Sequence, residues 1–221
     1  GDRETAAKLL TTFIDGYPRD PRICEALTLR GDMYAKTKKE TEALQDFDRV
    51  IARWPKEESA AAAWQRAAQI YAGRQDLANM AKYYEGLIKN FPKTSPAALA
   101  EAHFLLGRAA FDQGDFQSSI SHMSEAKTLD PQKYGEQVNV LTVLSYHKLQ
   151  DVNKLKEALE TLQKENPAAV SRVPDVIPAW LGLQAYGMKD LETADKYMTW
   201  ATQNDQIQNV KKVIWRNLAK V

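Results

Sequence analysis

Three phrases decide how this chain is read: Ile14-Asp15-Gly16-Tyr17-Pro18, Ile51-Ala52-Arg53-Trp54-Pro55 and Ile88-Lys89-Asn90-Phe91-Pro92. Each is an apolar helix end, then an aromatic, then a proline. Proline has no N–H and keeps the residue before it out of the helical region, so each phrase is a helix stop. Pro131 and Pro167 continue the series, and the five prolines stand 37, 37, 39 and 36 residues apart. Regular spacing of that length is the mark of a repeat architecture.

Between the stops the apolar pattern is helical. Ala43, Leu44, Phe47, Val50 and Ile51 form one stripe, and Tyr83, Tyr84, Leu87 and Ile88 form its counterpart one repeat on. Each segment also breaks once in its middle, at Lys36-Thr37-Lys38-Lys39, Gly73-Arg74-Gln75-Asp76, Gln113-Gly114-Asp115, Leu149-Gln150-Asp151 and Gly187-Met188-Lys189-Asp190. Gly and Asp in these breaks suit a helix C-cap followed by the N-cap of a second helix. The unit is therefore helix, turn, helix, stop.

The residues inside the unit resemble the tetratricopeptide-repeat (TPR) family. Gly31, Tyr34, Ala43, Phe47, Val50 and Pro55 fill its signature positions in the first full repeat, and Ala68, Tyr71, Met80, Tyr84, Leu87 and Pro92 do so in the second. Gly107, Ala110, Ser119, Met123, Ala126 and Pro131 follow in the third, then Val143, Tyr146, Leu155, Leu159, Leu162 and Pro167, then Gly182, Ala185, Ala194, Met198 and Ala201. A leading half repeat carries Ala6, Leu10, Phe13 and Pro18. Met80, Leu155 and Val143 are larger than the family's usual residue. The resemblance implies an all-α right-handed superhelix of about twelve antiparallel helices, in which small residues let helices cross closely and stacked neighbours supply the core. The boundaries expected are a half repeat at 1–20, full repeats at 21–57, 58–94, 95–133, 134–169 and 170–205, and a capping helix at 206–221, all in one solenoid domain. In that last segment Ile207, Val210, Ile214 and Leu218 share one side. The aromatic-Pro-x-x-Ser phrasing of Pro55–Ser59 and Pro92–Ser95 is similar to TPR proteins of bacterial cell envelopes, which implies a periplasmic or envelope setting and leaves the cytoplasm open.

Composition removes several function classes. The chain has 221 residues, 44% hydrophobic and 27% charged, with 30 Lys+Arg, 29 Asp+Glu and a formal charge of +1. That balance gives no bulk electrostatic reason to bind nucleic acid or an anionic membrane. No run reaches the ~18 apolar residues of a membrane span. The opening Gly1-Asp2-Arg3-Glu4 is no signal peptide and reads as the start of an excised domain or mature form. One cysteine, Cys24, excludes an internal disulfide framework. His103, His122 and His147 fall on separate helices without ligand spacing, and no phosphate-binding or nucleophile-elbow motif occurs. No enzyme, cofactor or metal is expected. Lys211, Lys212, Arg216 and Lys220 beside Trp215 read as a solvated capping face rather than a nucleic-acid patch.

The expected function is a scaffold or adaptor that holds a peptide or helix of a protein partner. In TPR proteins the first helix of each pair lines the concave face. Counting from the small crossing residue gives Thr28, Asp32 and Ala35, then Gln65, Gln69 and Ala72, then Phe104, Arg108 and Phe111, then Val140, Leu144 and His147, then Ala179, Leu183 and Tyr186. The groove turns from polar to apolar along the array. The peptide-binding residues expected are Phe104, Arg108, Phe111, Leu144, His147, Leu183 and Tyr186, with Arg108 pairing an acid on the ligand. The Lys/Asn/Arg clamp by which some TPR domains hold a C-terminal dicarboxylate is missing at Thr28, Asp32, Gln65 and Gln69. Self-association, or a spacer role in a larger protein, is the alternative, and a homo-oligomer stays open.

Overall fold

The protein is described here by a computed structural model covering residues 2–203. Among these residues it is entirely helical: α1 (Asp2–Gly16), α2 (Ile23–Lys36), α3 (Glu40–Arg53), α4 (Glu58–Gly73), α5 (Leu77–Asn90), α6 (Pro96–Asp112), α7 (Phe116–Leu129), α8 (Pro131–Lys148), α9 (Val152–Glu165), a 3₁₀ segment (Pro167–Arg172), α10 (Val176–Gly187) and α11 (Leu191–Gln203). A leading helix and five sequential antiparallel pairs are thus present, as the TPR pattern implies. The expected capping helix at 206–221 lies outside the described residues.

The signature residues are the core. Ala43, Phe47 and Val50 are fully enclosed, as are Ala68, Tyr84 and Leu87. In the later repeats Ser119, Met123 and Ala126, then Val143, Leu155, Leu159 and Leu162, then Ala194 and Met198 take the same places. The oversized Met80, Leu155 and Val143 are buried like the rest. The reason for the small crossing residue is visible at Gly31. A Cβ there would lie 2.6 Å from Phe47 Cε1, and one on Gly182 would lie 2.7 Å from Met198 Cγ. Full burial of a side chain such as Phe47 is worth about 1.5–3 kcal/mol relative to exposure.

All five turns between paired helices are built alike. Lys38, Gln75, Gly114, Gln150 and Lys189 take a left-handed conformation, with φ of 61°, 59°, 82°, 55° and 65°. The amide of each donates to the carbonyl three residues back, and the next amide reaches the carbonyl five residues back, as in Gln75 N to Ala72 O and Asp76 N to Tyr71 O. This closes the helix in a Schellman-type arrangement. The residue after it is the N-cap: Asp76, Asp115, Asp151 and Asp190 each accept the amide three positions on. The first repeat has Lys39 there and no side-chain cap. Glycine takes the left-handed position only at Gly114. Gly73 and Gly187, which look like the turn residues in sequence, instead end α4 and α10 inside the helix.

Packing divides the chain into two compact units. The first runs to Ala109 and includes Thr128–Asp130; the second comprises Ala110–Lys127 and the chain from Pro131 onward. In the first unit Trp54 and Phe91 cap their helices at φ near −130°, outside the helical region that the following proline disfavours. In the second, Pro131 is itself the first residue of α8 and Pro167 opens the 3₁₀ segment. Proline at a helix start loses nothing by lacking an N–H.

Candidate functional site

The polar groove positions expected on α2 and α4 are already bonded to their surroundings. Thr28 is buried and its hydroxyl donates to Cys24 O of its own helix. Asp32 on α2 accepts from Arg66 Nε on α4 at 3.0 Å. Gln65 and Gln69 on α4 both donate to Glu101 on α6, at 2.9 and 2.8 Å, and Tyr84 OH donates to the same carboxylate at 3.0 Å. Polar side chains thus tie α2 to α4 and α4 to α6. Phe104, expected as a ligand contact, is 8% exposed and belongs to the packing of α6. Arg108 is exposed, and among the described residues its guanidinium has no hydrogen-bond or ion-pair partner.

The second unit offers different chemistry. Phe111 is half-buried, edge-on to Phe116 at 5.4 Å. Val140, Leu144 and His147 are half-buried along α8. The His147 ring meets Trp180 of α10 at 5.4 Å, nearly perpendicular. Leu183 is 37% exposed, Tyr186 is half-buried, and Ala179 is buried. Burial, reinforced by the neighbouring Lys148, holds the His147 pKa below the ordinary histidine value, so the ring is neutral at neutral pH. The structure therefore brings α8 and α10 together through His147 and Trp180, with Leu144 packed against the same core.

Sequence reasoning missed Trp180 and the exposed apolar residues of the later turns. Leu149 and Met188 are 41% and 63% exposed in the turns after α8 and α10, and Leu191 is exposed at the start of α11. Leu149 and Met188 precede the left-handed residue of their turns, where the first three repeats have Thr37, Arg74 and Gln113. That switch from polar to apolar at one repeat position was the available signal.

Among the clefts that indent the described residues are the following three, and none of the three reads as a reaction site. A 260 Å³ cleft among α7, α8 and α9 is lined by Lys127, Asn139, Tyr146, Lys154 and Glu157. Its lysines are already paired, Lys127 with Glu165 at 2.7 Å and Lys154 with Glu157 at 2.9 Å. A 550 Å³ cleft lies between α1 and the end of α2, and a 440 Å³ cleft beside Phe91-Pro92-Lys93. Burial raises the Cys24 thiol pKa, the opposite of what a nucleophile needs. Among the described residues no cluster of three or more His, Cys, Asp and Glu could hold a metal, and no helix is long and apolar enough to cross a membrane.

Paired helices joined by identical turns, with small residues at each crossing, define a helical-repeat array. Tetratricopeptide-repeat models match residues 1–58, 62–94 and 100–133, and the chain belongs to that family. It is similar in fold to a tetratricopeptide repeat protein from Parabacteroides merdae ATCC 43184, at 13% identity and TM-score 0.58, over 98% of this chain and 92% of that one. It is likewise similar to a MamA crystal structure, at 18% identity and TM-score 0.52 over 86% of this chain and 97% of that one. A MamA fragment from Desulfovibrio magneticus RS-1 shows 20% identity and TM-score 0.52 over 75% of this chain and 89% of that one. At these identities the likeness is one of fold. No curated protein sequence matches the chain. Membership of the family implies a scaffold for protein–protein contacts on a fold that is typically non-catalytic.

Proposed function

We propose that the protein is a non-catalytic adaptor that receives a peptide or helix of a partner on the first-helix face of its repeats, with the second unit providing the apolar anchor sites. The observation that carries this reading is the partly exposed apolar surface of α8 and α10, centred on Leu144, His147, Leu183 and Tyr186. Exposed contiguous apolar surface marks interaction sites, and aromatic anchors dominate their energetics. Phe111 adds a further ring of the second unit. On the first unit, Arg108 has no partner among the described residues and suits a carboxylate on a ligand, while Phe104 is buried. Affinity would come from apolar burial at roughly 25 cal/mol per Å², less the cost of ordering the ligand.

The aromatic-Pro-x-x-Ser loops support a partner drawn from bacterial envelope assembly. The test is selection of binding peptides from a displayed library, followed by Leu183→Asp and Tyr186→Ala variants checked for folding by circular dichroism. Loss of binding by folded variants is expected. Retained binding would remove the α8–α10 face from the reading. Self-association is the second reading, because Leu149, Met188 and Leu191 are exposed. It requires a molecular mass that rises with protein concentration.

A further inference from the structure

The chain has five methionines and one cysteine. Met80, Met123 and Met198 are enclosed in the core, and Met33 is half-buried. Cys24 is buried, and burial raises its thiol pKa, so little reactive thiolate forms there. Met188, in the turn between α10 and α11, is different: its side chain stands in water, with the residue 63% exposed. We propose that Met188 is a reversible modification site, at which a peroxide converts the thioether to the sulfoxide and so removes apolar surface from the α10–α11 turn. The site is separate from the adaptor reading and stands whether or not the α8–α10 face takes a peptide.

The step needs only the peroxide. A lone pair of Met188 Sγ attacks one peroxide oxygen and the O–O bond breaks. The transferred hydroxyl gives its proton to the departing hydroxide, which leaves as water. Sulfur is oxidised by two electrons and the peroxide is reduced by two. A thioether has no proton to lose, so the reaction waits on access rather than on ionisation, and a reductase can reverse it. The enclosed methionines lack that access, because an oxidant would have to enter a close-packed core.

The fold asks little of this side chain. Met188 is the C-cap residue of α10, and it is its backbone amide that donates to Gln184 O and Ala185 O. The same repeat position holds Thr37, Arg74, Gln113 and Leu149. Thr37 Oγ1 donates to Met33 O and Arg74 pairs with Glu40, so the position accommodates polar side chains. A sulfoxide there should leave the helices intact and change the surface instead. Leu191, three residues on, is 51% exposed, so the turn presents two large apolar side chains to water. Oxidation turns one of them into a polar, hydrogen-bond-accepting group.

The test treats the full chain with excess hydrogen peroxide and follows each methionine by peptide mapping and mass spectrometry. Met188 should oxidise roughly tenfold or more faster than Met80, Met123 and Met198, and faster than Met33. The difference should vanish in guanidinium chloride. With Met188 alone oxidised, circular dichroism should be unchanged and retention on a phenyl-substituted matrix should fall. Methionine sulfoxide reductase should restore it. Met188→Gln should elute early without peroxide, and Met188→Leu should keep its retention through the treatment. Oxidation reaching Met33 or a core methionine first overturns the site. Selective oxidation of Met188 with retention unchanged, or lowered equally in Met188→Leu, overturns its effect on the surface. Loss of helical signal on oxidising Met188 alone overturns the proposal in favour of a structural role. None of these readouts uses a bound peptide, so failure here is distinct from failure of the α8–α10 face.

Discussion

The two units carry one repeat plan with different side chains at its groove positions. In the first, the expected groove positions Asp32, Gln65 and Gln69 are consumed in bonds between neighbouring helices, to Arg66 and to Glu101. In the second, the groove positions Leu144, His147 and Leu183 are apolar or neutral and partly open. A polar face whose donors and acceptors satisfy one another gives a ligand little to gain. An apolar face left partly in water gains from any cover that removes it. The difference teaches that repeat position alone does not make a binding site. The side chain at that position can be directed to its neighbour or left to a partner.

The largest effect tests whether the units are energetically separate. Phe47→Ala should cost about 3–5 kcal/mol and Leu159→Ala about 2–5 kcal/mol, since both side chains are fully enclosed. In a repeat protein each element contacts only its neighbours, so damage should stay local. Hydrogen exchange should show protection lost across α2–α4 for Phe47→Ala while α9–α11 keep theirs, and the converse for Leu159→Ala. Uniform loss along the chain in either variant would break the comparison.

A smaller effect tests the polar face. Glu101→Ala removes the acceptor for Gln65, Gln69 and Tyr84 together. Stranding half-buried donors should cost about 1–3 kcal/mol in urea unfolding. Binding at the α8–α10 face should be unaffected. If Glu101→Ala instead weakens a selected peptide without lowering stability, the first unit is also a ligand surface.

The architecture was legible because it rests on residue size at fixed spacing. The pairing of Gly31 with Phe47, and of Gly182 with Met198, follows from repeat position alone. The site was less legible. Offset counting places Leu183 and Tyr186 on α10, where they are partly exposed, yet cannot tell that Phe104, three residues before the crossing glycine of its own repeat, is enclosed. It also cannot tell that Gln65 and Gln69 share one carboxylate, because hydrogen-bond pairing between repeats depends on which side chain stands across the gap. Turn glycines misled for a similar reason. Gly73 and Gly187 lie beside the turns, while Gln75 and Lys189 take the strained conformation.

Acid should act on the turns. Asp76, Asp115 and Asp190 have carboxyl pKa values lowered chiefly by side-chain hydrogen bonding to Asn79, Ser118 and Thr193, with the capped amide of the same residue contributing next. A lowered folded value means that their stabilisation is fully present above the ordinary carboxylate value of about 3.9 and is lost as pH falls through the lower folded one. The urea midpoint should therefore drop as the pH is taken down through the ordinary carboxylate value and below it. An Asp76→Asn, Asp190→Asn variant should show a shallower drop. An unchanged slope would mean that these caps are broken in solution.

The finest distinction lies within the turns themselves. Gly114 takes the left-handed conformation without a Cβ, whereas Gln75 and Gln150 hold it at φ of 59° and 55° against a side chain. Left-handed backbone costs an L-residue roughly 1 kcal/mol that glycine avoids, and glycine returns part of that through its more flexible unfolded chain. Gln75→Gly and Gln150→Gly should each stabilise by a few tenths of a kcal/mol up to about 1, and Gly114→Ala should destabilise by a similar amount. Lys39→Asp supplies the first repeat with the cap its siblings have and should add about 0.5–2 kcal/mol, the value of an N-cap over an uncapped start. Thermal denaturation at neutral pH reads all four. Gains confined to Gln75→Gly and Lys39→Asp, with Gln150→Gly silent, would show that the first unit limits the melting of the chain.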